Sequence, residues 1–273
     1  MLKTLIFAVD EKIELPVYEN TGISVLRAQK AEKIPEGKKE ETIYVCDDST
    51  LARRLMEDEK NVVALLTDDN KDEDFSFCAY AVMNASECEA EFFEGLLKRF
   101  LHLPWEILET ERCLVRETTV EDVDDFYRLY ADKEITEYME PLFEDRDEEI
   151  EYTKSYAKNV YEFYGFGMWT IVEKSSNRVI GRAGVSYREG FLLPELGFMI
   201  GKEFWRKGYA YEVCRAIVNY MAEYHGMSEL LIFIEPQNTP SIFLAKKLGA
   251  VFHKEQCMGK CDAYLMNIPL SDS

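Results

Sequence analysis

Positive charge is scarce in this chain. Lys and Arg number 32 against 52 Asp and Glu, and the formal net charge is −20 over 273 residues. General nucleic-acid binding needs a basic surface, so this balance argues against it and favours a chain that repels polyanions. Long apolar runs are missing too. Stretches such as "LLIFI" (Leu230–Ile234) fall far short of the roughly 20 residues of a membrane span, so no membrane partner is expected. The opening "MLKTLIFAVDEK" is apolar only briefly and lacks a small-residue cleavage pattern. It is expected to be a first strand rather than a signal peptide. The seven cysteines are odd in number and scattered, which points to reduced thiols in a cytoplasm. There is no internal repeat, no low-complexity linker and no G-x-x-x-x-G-K-[ST] loop. "GFGMWT" (Gly165–Thr170) begins like a dinucleotide loop but lacks the third glycine and leads into a strand.

What is present suffices for two α/β domains. Hydrophobic residues make up 47% of the chain, enough for proper cores. Pro104 in "LHLPWEILETERCLVRE" stops a helix expected over residues 86–101, and the boundary is placed there, giving domains 1–108 and 109–273. In the first, "LKTLIFAV", "TIYVCDD", "NVVALLTDD" and "FSFCAYAVM" read as strands. "STLARRLMEDE" and "SECEAEFFEGLLKRFL" read as helices. Strand–helix alternation with apolar strands suggests a small parallel α/β lobe. Asp47, Asp48, Asp68 and Asp69 fall at strand ends, where ligands sit in such sheets. They suit a Mg²⁺ or phosphoryl site, or they simply end strands and cap helices, with Ser49 or Asp48 as the cap. The lobe resembles the Rossmann-like half of the haloacid dehalogenase superfamily. Its first strand has only Asp10, not the Asp-x-Asp pair of those phosphatases, which favours capping.

The second domain reads differently. "CLVRE" is a strand. Thr118 or Thr119 opens "VEDVDDFYRLYA", with Glu121 or Asp122 as capping-box partner, and Val123, Phe126, Tyr127 and Tyr130 on one face. The acidic "FEDRDEEIEYTKSYAKNVYEFY" is a helix. Two antiparallel strands follow in "MWTIVEKSSNRVIGRAGVSYRE", then a strand in "PELGFMIGKEFW". "KGYAYEVCRAIVNYMAEYHG" is a helix with Val213, Ile217, Tyr220, Met221 and Tyr224 at helical spacing, stopped by Gly226. "LLIFIEP" is a strand. Thr239 with Pro240 opens the helix "SIFLAKKLG", and "AYLMNIPL" is the last strand.

"EFWRKGYAYEV" (Glu203–Val213) has the form of an anion cradle. Unpaired N–H groups at a helix start favour an anion, Gly208 lets it approach the backbone, and Arg206 and Lys207 add charge at the rim. The acidity of the whole chain is no obstacle. Within residues 201–260, eight Lys and Arg stand against six Glu, and charges beyond roughly 10 Å are largely screened at physiological salt.

The order strand, R-K-G-Y-A, helix, strand, N-T-P-S, helix, K-L-G resembles the GNAT superfamily of acyl-CoA-dependent N-acetyltransferases. Their loop reads [QR]-x-x-G-x-[GA]. Gly208 and Ala210 match it, while Trp205 takes the first position. That variant, with Glu212, is similar to the ribosomal-protein-alanine acetyltransferase branch, as are "PELGFMI" and "NTPSIFLAKKLGA". The resemblance covers about residues 112–270. It implies a mixed sheet, antiparallel then parallel, that splays open at a bulge. It implies acetyl-CoA as co-substrate, with its pyrophosphate on Arg206, Lys207, Gly208, Tyr209 and Ala210. Its pantetheine arm would lie along Phe198, Met199 and Ile200, with Asn238 on the opposite wall. The acceptor would be a primary amine, a protein N-terminus or a small amine.

Acetyl transfer to an amine needs a base, because an ammonium cannot attack a thioester. The resemblance places Glu195 there, and burial beside Leu193 and Phe198 would raise its pKa usefully. The alternative is a solvent-facing strand glutamate. Many relatives place a tyrosine acid where this chain has Ala245. The branch uses a serine, here Ser241, which otherwise is a first-turn hydroxyl contacting backbone or pantetheine. A strand N–H freed near Phe198 would serve the oxyanion. No metal is implied: Cys257-x-x-x-Cys261 with His253 lacks a second ligand pair. "FEDRDEEIEY" (Phe143–Tyr152) reads as a solvated face or an amine-attracting one, and "YEFYGFGMW" (Tyr161–Trp169) as core or pocket lining. Cys214 reads as core. His225 ends a helix, where its positive charge is welcome. A non-catalytic acyl-CoA-binding sensor is the alternative function. Oligomeric state is not legible.

Overall fold

The computed structural model describes residues 1–28, 34–257 and 262–270. The chain forms two compact units, Met1–Trp105 and Glu106–Ser273. The strand Glu106–Glu109 thus begins the second unit.

In the first unit, β1 (Thr4–Ala8), β2 (Ser24–Arg27), β3 (Thr42–Cys46), β4 (Val62–Leu65) and β5 (Ala81–Val82) form a parallel sheet in the order β2-β1-β3-β4-β5. Its central strands read as continuous apolar runs because both faces are covered. Leu5, Phe7, Ile43, Val45, Val63 and Leu65 share one core with Phe93, Leu96 and Leu97 of α2 (Ala90–Phe100). The alternate residues Ile6, Tyr44, Cys46, Val62 and Ala64 share the other with Leu51, Ala52 and Leu55 of α1 (Ser49–Glu57). Each fully buried aliphatic or aromatic side chain contributes about 1.5–3 kcal/mol. Two details differ from the sequence reading. The edge strand β2 is mostly exposed and carries no apolar pattern. "FSFCAY" is not a strand: Asp74 Oδ1 accepts from Ser76 N at 2.9 Å and Cys78 N donates to Phe75 O at 2.9 Å, a turn closed by local hydrogen bonds.

The second unit is an eight-stranded mixed sheet in the order β12-β13-β11-β10-β9-β8-β7-β6. The strands are β6 (Glu106–Glu109), β7 (Cys113–Arg116), β8 (Met168–Glu173), β9 (Arg178–Ser186), β10 (Glu195–Ile200), β11 (Glu229–Ile234), β12 (Val251–Cys257) and β13 (Asp262–Pro269). The exposed, polar β12 and the short β6 escaped the sequence reading. The helices are α3 (Val123–Tyr130), α4 (Lys133–Thr136), α5 (Arg146–Tyr156), α6 (Glu162–Tyr164), α7 (Tyr209–His225) and α8 (Thr239–Lys247). One wide turn, Ala157–Tyr161, joins α5 to α6. Thr119 and Asp122 form the capping box that starts the α3 region, and Arg116 grips Asp122 with two bonds of 2.7 Å.

Trp169, Ile180, Val213, Ile217, Met221, Ile232 and Ala245 belong to one core beneath α7 and α8. Phe126, Leu129, Val179 and Met199 form a second core on the opposite face. The buried stripe of α3 is Val123, Phe126 and Leu129, with Tyr127 and Tyr130 at its edge. On α7, Tyr224 is 69% exposed, and Cys214 and Val218 take the buried place expected for it. Gly226 ends α7 as expected.

Candidate active site

β10 and β11 run parallel but pair at a single position, Glu195 with Leu231. β10 meanwhile stays in continuous register with β9 from Glu195 to Ile200, and β11 with β13 from Glu229 to Ile234. The sheet therefore opens between two intact halves, and divergence of the two strands is what leaves backbone groups unpaired. Which groups these are follows from alternation. Leu231 N donates to Pro194 O at 2.9 Å, so even-numbered residues of β10 turn their N–H and C=O toward the opening. Ile200 O is taken by Trp205 Nε1 at 2.6 Å. The groups of Phe198 have no such partner among the described residues.

Because β10 and β11 are parallel, the chain leaves both at the same end of the opening. Gly208, with φ +87°, starts α7 after β10, a conformation that suits a residue without Cβ. Arg206 also adopts positive φ, +59°. The first helical bond of α7 runs from Glu212 N to Gly208 O. The N–H groups from Arg206 through Tyr211 meet no acceptor among the described residues, and Arg206, Lys207 and Gly208 are exposed. Tyr209 is buried, its ring packed on Phe204 and its hydroxyl bonded to Glu173. Lys207 Nζ lies 5.4 Å from the Phe204 ring centroid.

Arg112 holds this loop, a role the sequence did not disclose. Its Nη1 donates to Lys207 O at 2.9 Å, its guanidinium lies 4.1 Å from the Tyr209 ring centroid, and its Nε donates to Glu212 Oε2 at 2.7 Å. Its own N–H bonds Glu212 Oε1 at 2.9 Å. Burial pushes the Glu212 carboxyl up, but bonds from Thr110 and Arg112 outweigh it and hold the group below the ordinary glutamate value. Trp205 is half-exposed, and its indole N–H ties the loop to the end of β10. The 100-residue separation of Arg112 from Glu212 leaves no local sequence signal.

Across the opening, α8 starts after β11. Asn238 caps it, its Oδ1 accepting from Ser241 N at 3.2 Å. The cap is Asn238, not Thr239, and part of its hydrogen-bonding capacity serves its own helix. Ser241 is half-buried in the first turn, and Ala245 is fully buried.

Glu195 stands where the two strands part. Its side chain is only 12% exposed, which sets aside the solvent-facing reading. Burial pushes its carboxyl above the ordinary glutamate value, and Glu140 pushes the same way. Arg188 opposes them through a two-pronged contact, Nε to Oε2 at 2.6 Å and Nη2 to Oε1 at 3.2 Å.

Several other candidates resolve into structure. In the first unit Asp48 Oδ1 caps α1 through Leu51 N at 2.8 Å, Asp47 Oδ2 accepts from Asp10 N at 2.9 Å, and Thr67 with Asn70 boxes the turn bearing Asp68 and Asp69. Cys214 is fully buried, and burial pushes its thiol far up. His225 packs edge-on to Phe166 and Tyr220, and burial lowers its pKa, so its neutral form is favoured rather than the charged one expected at a helix end. In "FEDRDEEIEY" most side chains are exposed, but Glu149 is buried and accepts from Phe143 N at 3.0 Å. Tyr161, Phe166 and Trp169 are core, while Phe163 is exposed. Cys261, of the Cys257-x-x-x-Cys261 spacing, lies outside the described residues, as does Lys260. No group of three or more His, Cys, Asp or Glu is placed to hold a metal among the described residues. No helix among them is long and apolar enough to cross a membrane.

Comparison with known proteins fits this geometry. Residues 112–251, just over half the chain, match the model of the acetyltransferase (GNAT) domain. The chain is 29% identical over 157 residues to the uncharacterized N-acetyltransferase p20 of Bacillus licheniformis, covering 55% of this chain and 84% of that one. The fold resembles the ribosomal-protein-S5-alanine acetyltransferase of Vibrio fischeri, with a TM-score of 0.53 at 14% identity over 60% of this chain and 97% of that one. It likewise resembles a GNAT-family acetyltransferase of Bacillus anthracis, with a TM-score of 0.51 at 21% identity over 59% and 97% of the two chains. The chain belongs to the GNAT family and is an acyl-CoA-dependent acetyltransferase.

Proposed function

We propose that the second unit moves an acetyl group from acetyl-CoA to a primary amine by direct attack. The observation that carries this reading is the opening beside β10, with unspent N–H groups from Arg206 to Tyr211 at its end. A helix start with unpaired amides suits the pyrophosphate of CoA. The edge of β10 along Phe198, Met199 and Ile200, where the groups of Phe198 face the opening unpaired, suits an arm bearing amides, which adds to a sheet as a strand does. Asn238 lines the opposite wall. The V. fischeri relative is named for a protein substrate, and a protein N-terminus is one acceptor that fits; a small amine is the other.

Glu195 takes the proton of the incoming ammonium, a task its raised pKa serves. The amine nitrogen then bonds the thioester carbon, the oxyanion meets the Phe198 N–H, the C–S bond breaks to release the CoA thiolate, and the surplus proton of the new amide nitrogen passes to that sulfur to give the free thiol. Ser241 is the proposed hydroxyl partner of that thiolate. The test is the full chain with acetyl-CoA and a panel of amines, followed by thiol release. Transfer to at least one amine, abolished or nearly so in Glu195→Gln with acetyl-CoA affinity kept, supports the reading.

One observation favours a second reading. The Arg188 guanidinium occupies both oxygens of Glu195, as suits a protein that binds acyl-CoA without turnover. Acetyl-CoA binding with no thiol release on any amine would establish that sensor role. The division into a first lobe, residues 1–108, and an acetyltransferase domain, residues 109–273, is likewise proposed. Limited proteolysis that cleaves near Pro104 and leaves two folded fragments would support it.

A further inference from the structure

Glu195 and an open cleft lie on two sides of one guanidinium. Strand register shows which side chains share this face of the sheet. Glu195 pairs with Leu231 of β11. Phe233, two residues further along β11, pairs with Leu265 of β13, and Lys254 of β12 pairs with Leu265 as well. Paired residues share a face, as do residues two apart on one strand. Glu195, Phe233 and Lys254 therefore project from the same face. On it Arg188, Glu189, Phe191, Lys254 and Gln256 line a cleft of about 560 Å³, the size of a small-molecule site.

Arg188 is the wall between carboxylate and cleft. Its side chain is 40% exposed against 12% for Glu195, and it lines the cleft while Glu195 does not. Its Nε and Nη2 are turned to the carboxylate, at 2.6 and 3.2 Å. Its guanidinium carbon lies 5.3 Å from the Phe233 ring centroid, and Phe191 packs edge-on to that ring at 4.8 Å. One aromatic floor thus runs from beneath the ion pair into the cleft. An aromatic face attracts a guanidinium whether or not a carboxylate holds it. Lys254 is exposed and forms no salt bridge among the described residues. Glu189, the carboxylate on the lining, is exposed too. With Arg188 turned inward, two cations face one carboxylate.

A base gripped on both oxygens by a guanidinium is not free to accept a proton, so the pair must open before transfer. We propose that the acceptor opens it: a small amine carrying an oxyanion, a carboxylate or a phosphate, enters the cleft and exchanges partners with the pair. Its oxyanion takes the guanidinium of Arg188, with Lys254 beside it. Its ammonium takes the place left on Glu195. Charge is conserved in the exchange, so neither the carboxylate nor the guanidinium is left unpaired. Arg188 is a latch on the base, and an amine without an anion has nothing to draw it off. The two groups that hold the ends of the acceptor start in contact, so rotation of one side chain sets the span between them. This inference rests on the acetyl-transfer reading above, and the test separates the two.

The full chain is assayed with acetyl-CoA above the acid limb of its pH profile. β-Alanine, 4-aminobutyrate and O-phosphoethanolamine are set against β-alaninamide, 4-aminobutyramide and ethanolamine. The best oxyanion-bearing amine is expected to exceed its neutral counterpart by roughly 10–100-fold in kcat/KM, the range for hydrogen bonds to a charged group, with part of the gain in kcat. The carboxylate and phosphate arms show which oxyanion is preferred. Arg188→Gln removes the latch, so turnover of the neutral amines rises and the preference collapses. Lys254→Gln keeps the latch and weakens the seat, so KM for the oxyanion-bearing amines rises about 3–10-fold. An arginine that merely supports the fold would instead lower kcat on every amine when replaced. Equal kcat/KM for charged and neutral acceptors, neutral-amine turnover that falls in Arg188→Gln, a preference undiminished in both variants, or turnover confined to peptides overturns the proposal. If no amine is acetylated although acetyl-CoA binds, the transfer reading fails by itself. Calorimetric titration of β-alanine and O-phosphoethanolamine into the CoA-saturated protein then decides for the cleft: binding that weakens in Lys254→Gln supports it, and no binding to the parent protein overturns it.

Discussion

The two units end their central parallel strands in opposite ways. In the first, several polar groups beyond β1, β3 and β4 serve the fold. Asp47 accepts from Asp10 N, Asp48 caps α1, and Asn70 Nδ2 bonds Leu65 O at 2.8 Å and Asp47 O at 2.9 Å. In the second, β10 and β11 part after one pair, and the N–H groups from Arg206 through Tyr211 meet no acceptor among the described residues. Asp47 and Asp48, strand-end carboxylates that look like chemistry in a sequence, each hold a backbone N–H of the first unit. Backbone amides, which a sequence does not display, are the unspent groups of the second. A run of unsatisfied donors held in place by Arg112 and Trp205 is a stronger sign of a ligand than a row of aspartates.

The sharpest way to break this comparison is to exchange carboxylates between the two units. Glu195→Gln is expected to lower kcat by about 10²–10⁴-fold, the range for losing a general base, with acetyl-CoA affinity unchanged. Asp47→Asn in the first unit is expected to leave turnover alone in the same thiol-release assay. Activity lost in the second variant and kept in the first would move the chemistry to the wrong unit. A smaller effect belongs to the loop clamp. Glu212→Gln removes the charge that Arg112 braces against, and acetyl-CoA affinity is expected to weaken about 3–10-fold, or roughly 1 kcal/mol, because the pair is partly open to solvent. Calorimetric titration with acetyl-CoA checks it.

Much of the second unit was legible because its elements carry local signals. The Gly208 start of α7 and the Gly226 stop stand where the sequence puts them, and of the two capping boxes the sequence allows the structure takes Thr119 with Asp122. The opening was legible only through resemblance, since nothing in "PELGFMI" or "LLIFIEP" says that the two strands pair at one residue. The residues around the site were harder still. Arg112 and Arg188 act on partners through the fold. β2 and β12 were missed because exposed edge strands need no apolar alternation. "FSFCAY" was misread because aromatic content imitates a strand while Asp74 and Phe75 close a turn.

The pH response sharpens the comparison at the level of single charges. If Glu195 is the base, activity falls as pH drops through its raised pKa, because the protonated acid cannot take a proton. Arg188 is the group that holds that value down. Arg188→Gln is therefore expected to move the acid limb of kcat/KM to higher pH, and a limb that stays put separates Glu195 from the base role.

The smallest expected effect lies in the first unit. Asp48→Ala removes the side-chain acceptor of Leu51 N at the start of α1. Loss of such a cap costs about 1 kcal/mol, which for a unit of this size lowers Tm by roughly 4–8 °C. Acetyl-CoA affinity and kcat should not change, since the carboxylate serves its own helix. A drop in turnover with Tm unmoved would mean that Asp48 is not merely a cap, and the contrast drawn between the two sets of strand ends would fail at its plainest point.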